Sequence, residues 1–228
     1  MNKMAKLIDR FGTQSPGHTM YLPPRSVIQT GKSLLCLDIG FSNMGYSVFQ
    51  HNKLWSQGLL WTEKSPKKNT RVSDDYASRC AHLALQLKSL CNSLRLVGIC
   101  AELPSGTQNA RAASQMSMAL AIVASSAMFL NLPTEYYTAQ EVKVAATGNK
   151  KATKEEIKLA MGLMFGFERT TKEISIQKGK RKGKITIQET YRMGKLHYNG
   201  SDFEHIADSI GVFLAAGHNN LVRLMGGV

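Results

Sequence analysis

Two kinds of apolar spacing alternate along this chain. Leu34-Leu35-Cys36-Leu37 and Val97-Gly98-Ile99-Cys100-Ala101 are apolar at consecutive positions, as in strands covered on both faces. Tyr46-Ser47-Val48-Phe49 and Leu54 to Trp61 read as two further strands. A Gly-containing turn (Gly40, Gly45) precedes the first of these, and His51-Asn52-Lys53 separates the two. Three closely spaced strands with short turns predict an antiparallel meander. Ser73 to Leu96 changes period. Tyr76, Cys80, Leu83, Leu87, Leu90 and Leu94 fall at spacings of three and four, one apolar stripe of a helix. Ser73 is its predicted N-cap, with Asp74 and Asp75 in the first turn. Asn109 to Leu130 is a second helix rich in Ala, Met and Ser, small enough for close packing in a core or across a dimer. A short strand (Glu135 to Thr138), helices over Ala139 to Ala145 and Thr153 to Met164, and a last helix from Phe203 to Leu224 complete the pattern. Antiparallel strands followed by βαβ units predict an α/β fold, a mixed sheet with helices on both faces.

Two segments stand outside this pattern. Residues 1–31 are polar, carry Pro16, Pro23 and Pro24, and show no periodicity, so they read as an N-terminal arm or tail before a domain over 32–228. Glu173 to Thr190 carries Ile174 and Ile176, then Ile185 and Ile187, alternating with polar residues around a Gly- and Lys-rich tip. That is a hairpin signal. Lys178, Lys180, Arg181, Lys182 and Lys184 at its tip read as a basic finger able to lie along phosphates, inserted at about 171–200.

Charge narrows the partners. Lys plus Arg number 29 against 16 Asp plus Glu, a net +13, which favours nucleic acid over an anionic membrane, since no basic amphipathic helix accompanies it. No run approaches about 18 uninterrupted apolar residues, so no membrane span is expected. Cys36, Cys80, Cys91 and Cys100 have no CxxC spacing; they read as thiols of a reducing, cytoplasmic compartment.

Against this basic background stand four residues. Asp38 ends the first apolar run and Glu102 the second, while His205 and Asp208 open the last helix, three residues apart on one face. A carboxylate at the end of a buried strand is costly unless a cation neutralises it. Phosphodiester cleavage uses divalent ions about 4 Å apart held by such carboxylates, and hard oxygen donors suit Mg²⁺ or Mn²⁺. A second basic run, Lys64, Lys67, Lys68 and Arg71, serves equally as a solvated loop or a phosphate contact. Lys150, Lys151, Lys154 and Lys158 gather at a helix start, where cations oppose the dipole unless an anion such as DNA joins them. His82 and His218 read as packing residues, and Met116, Met118 and Met128 as core or interface.

These residues resemble the motifs of the RuvC-type Holliday junction resolvases. Asp38-Ile39-Gly40, with Gly45 seven residues after the Asp, looks like the first motif. Ala101-Glu102 followed by Asn109-Ala110 is similar to the second. Tyr137-Thr138-Ala139-Gln140-Glu141-Val142-Lys143, with Thr147-Gly148-Asn149 and Ala152-Thr153-Lys154, resembles the third region, and His205-Ile206-Ala207-Asp208 the last. The match runs from about Leu34 to His218, excluding the insertion.

The resemblance implies an RNase H-like, five-stranded mixed sheet and a homodimer that nicks a four-way junction symmetrically. It implies Mg²⁺ or Mn²⁺, two ions per site, on Asp38, Glu102, His205 and Asp208. It also implies that Lys154, with Lys143, contacts phosphate or stabilises the transition state. Lys150, Lys151 and the finger lysines would add DNA contacts. Two departures suggest a divergent, phage- or virus-encoded member: Ser105 stands where bacterial members place an aromatic residue, and the basic insertion is not typical of them. Cleavage of flaps, forks or RNA–DNA hybrids stays open as an alternative, as does a binding module without catalysis.

Overall fold

A computed structural model of the chain describes residues 31–66, 69–104, 106, 109–175, 185–217 and 219–225. The predicted arm and the finger tip, with Lys178, Lys180, Arg181, Lys182 and Lys184, lie outside the described residues, as do Lys67, Lys68, Ser105 and His218.

Strands β1 (Ser33–Asp38), β2 (Asn43–Gln50) and β3 (Lys53–Trp61) form the antiparallel meander. His51 and Asn52 both take positive φ, 49° and 61°, the geometry of a two-residue hairpin turn whose twist matches its strands. Helix α1 (Val72–Asn92) leads to β4 (Leu96–Glu102), which pairs parallel with β1. Helix α2 (Ala110–Phe129) leads to β5 (Thr134–Tyr137), parallel with β4. The sheet order is β3-β2-β1-β4-β5. Alternation along β1 sends its side chains to opposite layers. Leu35 and Leu37 join a core closed by Leu83, Leu87 and Leu90 of α1 and Ala119 and Val123 of α2. Leu34 and Cys36 join the other core, on the face covered by α3 (Ala139–Thr147), α4 (Lys154–Phe165) and α5 (Gly200–Ala216).

Capping explains where the helices near the site begin. Thr138 and Thr153 each close a capping box, with Glu141 and Glu156. Gly148 and Gly166 end these helices in the left-handed region, at φ 74° and 75°.

Three expectations are corrected. Helix α1 starts at Val72 with Arg71 in the capping position and no side-chain cap; Ser73 is already helical, and Asp75 instead accepts from the Ser65 N–H at 2.6 Å. The helix stops at Asn92, and Leu94 reaches the core from the turn beyond it. The predicted last helix is two. Gly217 ends α5 at φ 52°, and Asn219 caps α6 (Asn220–Leu224) by accepting from the Val222 N–H at 2.8 Å. The insertion is more than a hairpin. β6 (Glu168–Ser175), β7 (Ile185–Met193) and β8 (Leu196–Asn199) form a three-stranded antiparallel sheet. Tyr191 of β7 is fully buried, and its ring stacks on Phe203 of α5 at 3.9 Å between centroids.

Candidate active site

Asp38 and Glu102 end neighbouring strands in register, so the parallel pairing alone sets the two carboxylates side by side. On its other flank Asp38 pairs with Gly45 of β2. A Cβ at Gly45 would stand 2.0 Å from the His205 carbonyl oxygen and 2.4 Å from its carbon. The missing side chain is therefore what lets α5 cross the sheet in backbone contact. That crossing brings His205 Nδ1 to 2.7 Å from Asp38 Oδ2, although 167 residues separate them. Asp208, one helical turn on, shares the face.

Crowding of negative charge decides the titration of this cluster. Burial, then the Asp38 charge, pushes the Glu102 carboxyl up to about 7, against the pull of Lys143 and Lys154. Burial, then Asp38, Glu102 and Glu204, carries Asp208 up to about 8. Burial works against the His205 imidazolium, but the Asp38 hydrogen bond and the charges of Asp38, Glu204 and Asp208 overcome it and raise its pKa. Carboxyl groups held this far above their ordinary range mark a site short of positive charge.

The donors suit a hard divalent cation in kind: three carboxylates and an imidazole whose Nδ1 is already held, leaving Nε2. Among the described residues, however, no three His, Cys, Asp or Glu side chains are drawn together into a ready ligand cage.

The lysines divide. Lys154 opens α4 and its ammonium contacts the Glu204 carboxylate; the Glu204 hydrogen bond is the main cause of its raised pKa. The charge of Lys143, on α3, reaches Glu102. Lys150 and Lys151 lie exposed in the turn between α3 and α4, and Lys150 lines a cleft with Tyr137, Gln140 and Leu214. Lys158 corrects the expectation of a four-lysine DNA patch. Its side chain is 6% exposed and bonded at 2.8 Å to both Glu155 and Glu189. His82 packs edge-on against Trp61, as a packing residue should. Met118 packs into the core of the α1–α2 face, while Met128 is exposed.

Glu204 is the member of this site that the sequence reading missed. It precedes His205 and stands four residues before Asp208, a spacing that puts it on the same helix face.

Comparison with known proteins bears on the fold. No family model matches the chain. RuvC of Thermus thermophilus superposes with a TM-score of 0.55 at 17% identity, covering 85% of this chain and 96% of that one. The fold is the RNase H-like fold of RuvC. The T. thermophilus RuvC solved in complex with a Holliday junction substrate superposes with a TM-score of 0.54 at 18% identity, over 80% and 91%. In sequence, the crossover junction endodeoxyribonucleases RuvC of Stenotrophomonas maltophilia strains K279a and R551-3 are each 27% identical over 96 residues. That stretch is 42% of this chain, and it spans 56% of those relatives' length. Both sequence and fold therefore carry the resemblance to the RuvC-type resolvases.

Proposed function

We propose that this protein is a metal-dependent, structure-selective endodeoxyribonuclease that resolves four-way DNA junctions by paired phosphodiester hydrolysis. The observation that carries the reading is the joining of Asp38, Glu102, His205 and Asp208 on a RuvC fold, with two lysines beside them. Asp38, Glu102 and Asp208 would hold Mg²⁺ or Mn²⁺, two ions in all, with His205 contributing Nε2. Bound there, the metal supplies an activated water and neutralises charge on the phosphate. The chain's own groups do the rest. Asp38 fixes the tautomer of His205 through Nδ1. Lys154 and Lys143 place positive charge beside the phosphate, where it offsets the charge of the transition state. Lys150, Lys151 and the cations between Lys178 and Lys184 extend the track for DNA.

The working unit is a homodimer. Helix α2 is 20 residues long and contains an 18-residue stretch of mean hydropathy 1.4, only 17% of which is buried in the fold. Among the described helices it alone is long and apolar enough to cross a membrane by length and composition. It packs on the sheet through Ala119, Val123 and Ala127 and leaves Met128 and Phe129 exposed. A second copy would cover that surface.

One observation favours a different reading, a DNA-binding module without catalysis: the acidic residues form no ready ligand cage. A single experiment separates the two. Wild type with Mg²⁺ on a labelled synthetic four-way junction gives symmetric paired nicks at the crossover, and Asp38→Asn gives none. Tight, salt-sensitive binding with an intact junction would leave only the binding module. Flap, fork and RNA–DNA hybrid substrates run alongside show the selectivity, and cleavage of the RNA strand alone would point to an RNase H activity.

A further inference from the structure

We infer that Glu204 is a positioning residue that holds the Lys154 ammonium at the acidic cluster, so that its remaining N–H donors meet the scissile phosphate. The inference rests on the nuclease reading above and adds to it a residue outside the four motifs.

Helix α4 is fixed before Lys154 is considered. Its first turn is closed by the Thr153–Glu156 capping box. One turn on, Lys158 is buried and bonded to Glu155 on its own helix and Glu189 on β7. Glu189 in turn takes Arg169 of β6. Pinned this way, α4 fixes where the Lys154 Cα stands. The side chain is a separate matter. It is 69% exposed, and a four-carbon stem in water samples many rotamers. Among the described residues its ammonium pairs with the Glu204 carboxylate, itself 23% exposed. Glu204 sits on α5 between the turn that caps the helix and His205, so the helix that carries His205 and Asp208 also aims Lys154. An ammonium has three donors. One goes to Glu204 and two remain for phosphate oxygens, so the contact need not break for substrate to bind. Holding a charged group in place before substrate arrives is the kind of order that lowers a barrier without tightening binding.

The test is single-turnover cleavage and binding of a four-way junction with Mg²⁺ by wild type, Glu204→Gln, Lys154→Ala and the double variant. Glu204→Gln is expected to slow cleavage about tenfold or more, with the junction Kd unchanged or slightly tighter and the unfolding midpoint unchanged. In the Lys154→Ala background the same change is expected to do nothing further, because Glu204 acts through Lys154. Glu204→Ala is expected to behave as Glu204→Gln does, which separates loss of the carboxylate from any effect of the new amide. If Glu204→Gln cleaves as fast as wild type or faster, or slows the Lys154→Ala enzyme by the same factor, the inference is overturned while the nuclease reading stands. If wild type leaves every junction whole, the nuclease reading falls and this inference with it.

Discussion

Replacing Asp208 by Asn is expected to stabilise the metal-free protein at pH 8 while abolishing cleavage. The carboxyl of Asp208 moves from an ordinary 3.8 up to about 8 in the fold, so the folded state holds a proton there that the unfolded chain has already released. Stability then falls as pH rises between those two values. At about 1.4 kcal/mol per unit the loss is on the order of 5 kcal/mol from pH 4 to pH 8. Glu102, raised to about 7, and His205, also raised, work in the same direction. Part of the loss at Glu102 is the same mutual repulsion counted from the other side. His82, whose pKa burial lowers, works against these groups below the ordinary imidazole value, while the carboxyl groups whose pKa the fold lowers, Glu141, Glu156 and Glu189, act only in acid, outside the range assayed. The assay is urea unfolding in EDTA at intervals from pH 5 to pH 8. Wild type is expected to lose several kcal/mol across that range. Asp208→Asn should lose much less and should be the more stable protein at pH 8. Adding Mg²⁺ at pH 8 should restore wild type by mass action and do little for the variant. A metal-free wild type whose stability is flat or rising from pH 5 to pH 8 would refute the reasoning, because no crowded, proton-holding cluster would then exist.

Gly45→Ala puts a methyl group 2.0 Å from the His205 carbonyl oxygen; it should cost about 1–3 kcal/mol in urea unfolding and, by displacing α5, slow cleavage about a hundredfold. Arg79 is buried, donates to Thr62 and Ser42 at 3.0 and 2.7 Å and lies over the Phe41 ring. Arg79→Ala would leave the buried Asp75 short of its cation and should cost about 3 kcal/mol, read as a lower urea midpoint. Phe129→Asp, at a position 86% exposed, should convert a dimer to a monomer by light scattering and remove the dependence of the unfolding midpoint on protein concentration; a dimer that persists assigns the interface to another face.

What the chain discloses by itself follows from how local each cause is. Asp38 and Glu102 were legible only together: a lone Asp after a strand is usually a turn residue, and it was the order of four motifs along the chain that singled them out. The parallel pairing of β1 with β4 then needs no further information to set them together. The start of α1 was not readable from Ser73, since the helix begins without a side-chain cap and packs through Leu83, Leu87 and Leu90 instead. The insertion was found through a coincidence of pattern. Ile185 and Ile187 alternate as a half-buried strand would, yet they are 70% and 64% exposed, and the residue that anchors β7 is Tyr191. β6 is largely exposed along its whole length and shows no apolar alternation, so its full extent and the third strand, β8, went unseen. Glu204 could not be read as a partner of Lys154 because the two are 50 residues apart and meet only when α4 and α5 pack.

The same packing shows how the described strands of the insertion join the helices that carry the site. β8 ends at Asn199, and the Asn199 side chain accepts from the Asp202 N–H to cap α5. The insertion thus ends on the residue that starts the helix carrying His205 and Asp208. The next residue, Gly200, packs closely on Glu189: a Cβ there would lie 3.2 Å from the Glu189 side chain, which would have to give by a few tenths of an ångström, and 3.6 Å from Lys158 Nζ. Glu189 in turn joins β7 to α4 through Lys158, one turn from Lys154. The three-stranded sheet, α4 and α5 are therefore tied at one corner by a part-buried ion pair and a helix cap. The insertion also meets the five-stranded sheet at β3, where the Tyr198 hydroxyl donates to the Gln57 carbonyl at 3.3 Å, so the corner is the tie to α4 and α5 and β3 the tie to the sheet. Loosening the corner with Glu189→Gln should accordingly weaken cleavage more than it disturbs the five-stranded sheet, a difference that hydrogen exchange on β1 and β4, set beside the cleavage rate, would read directly.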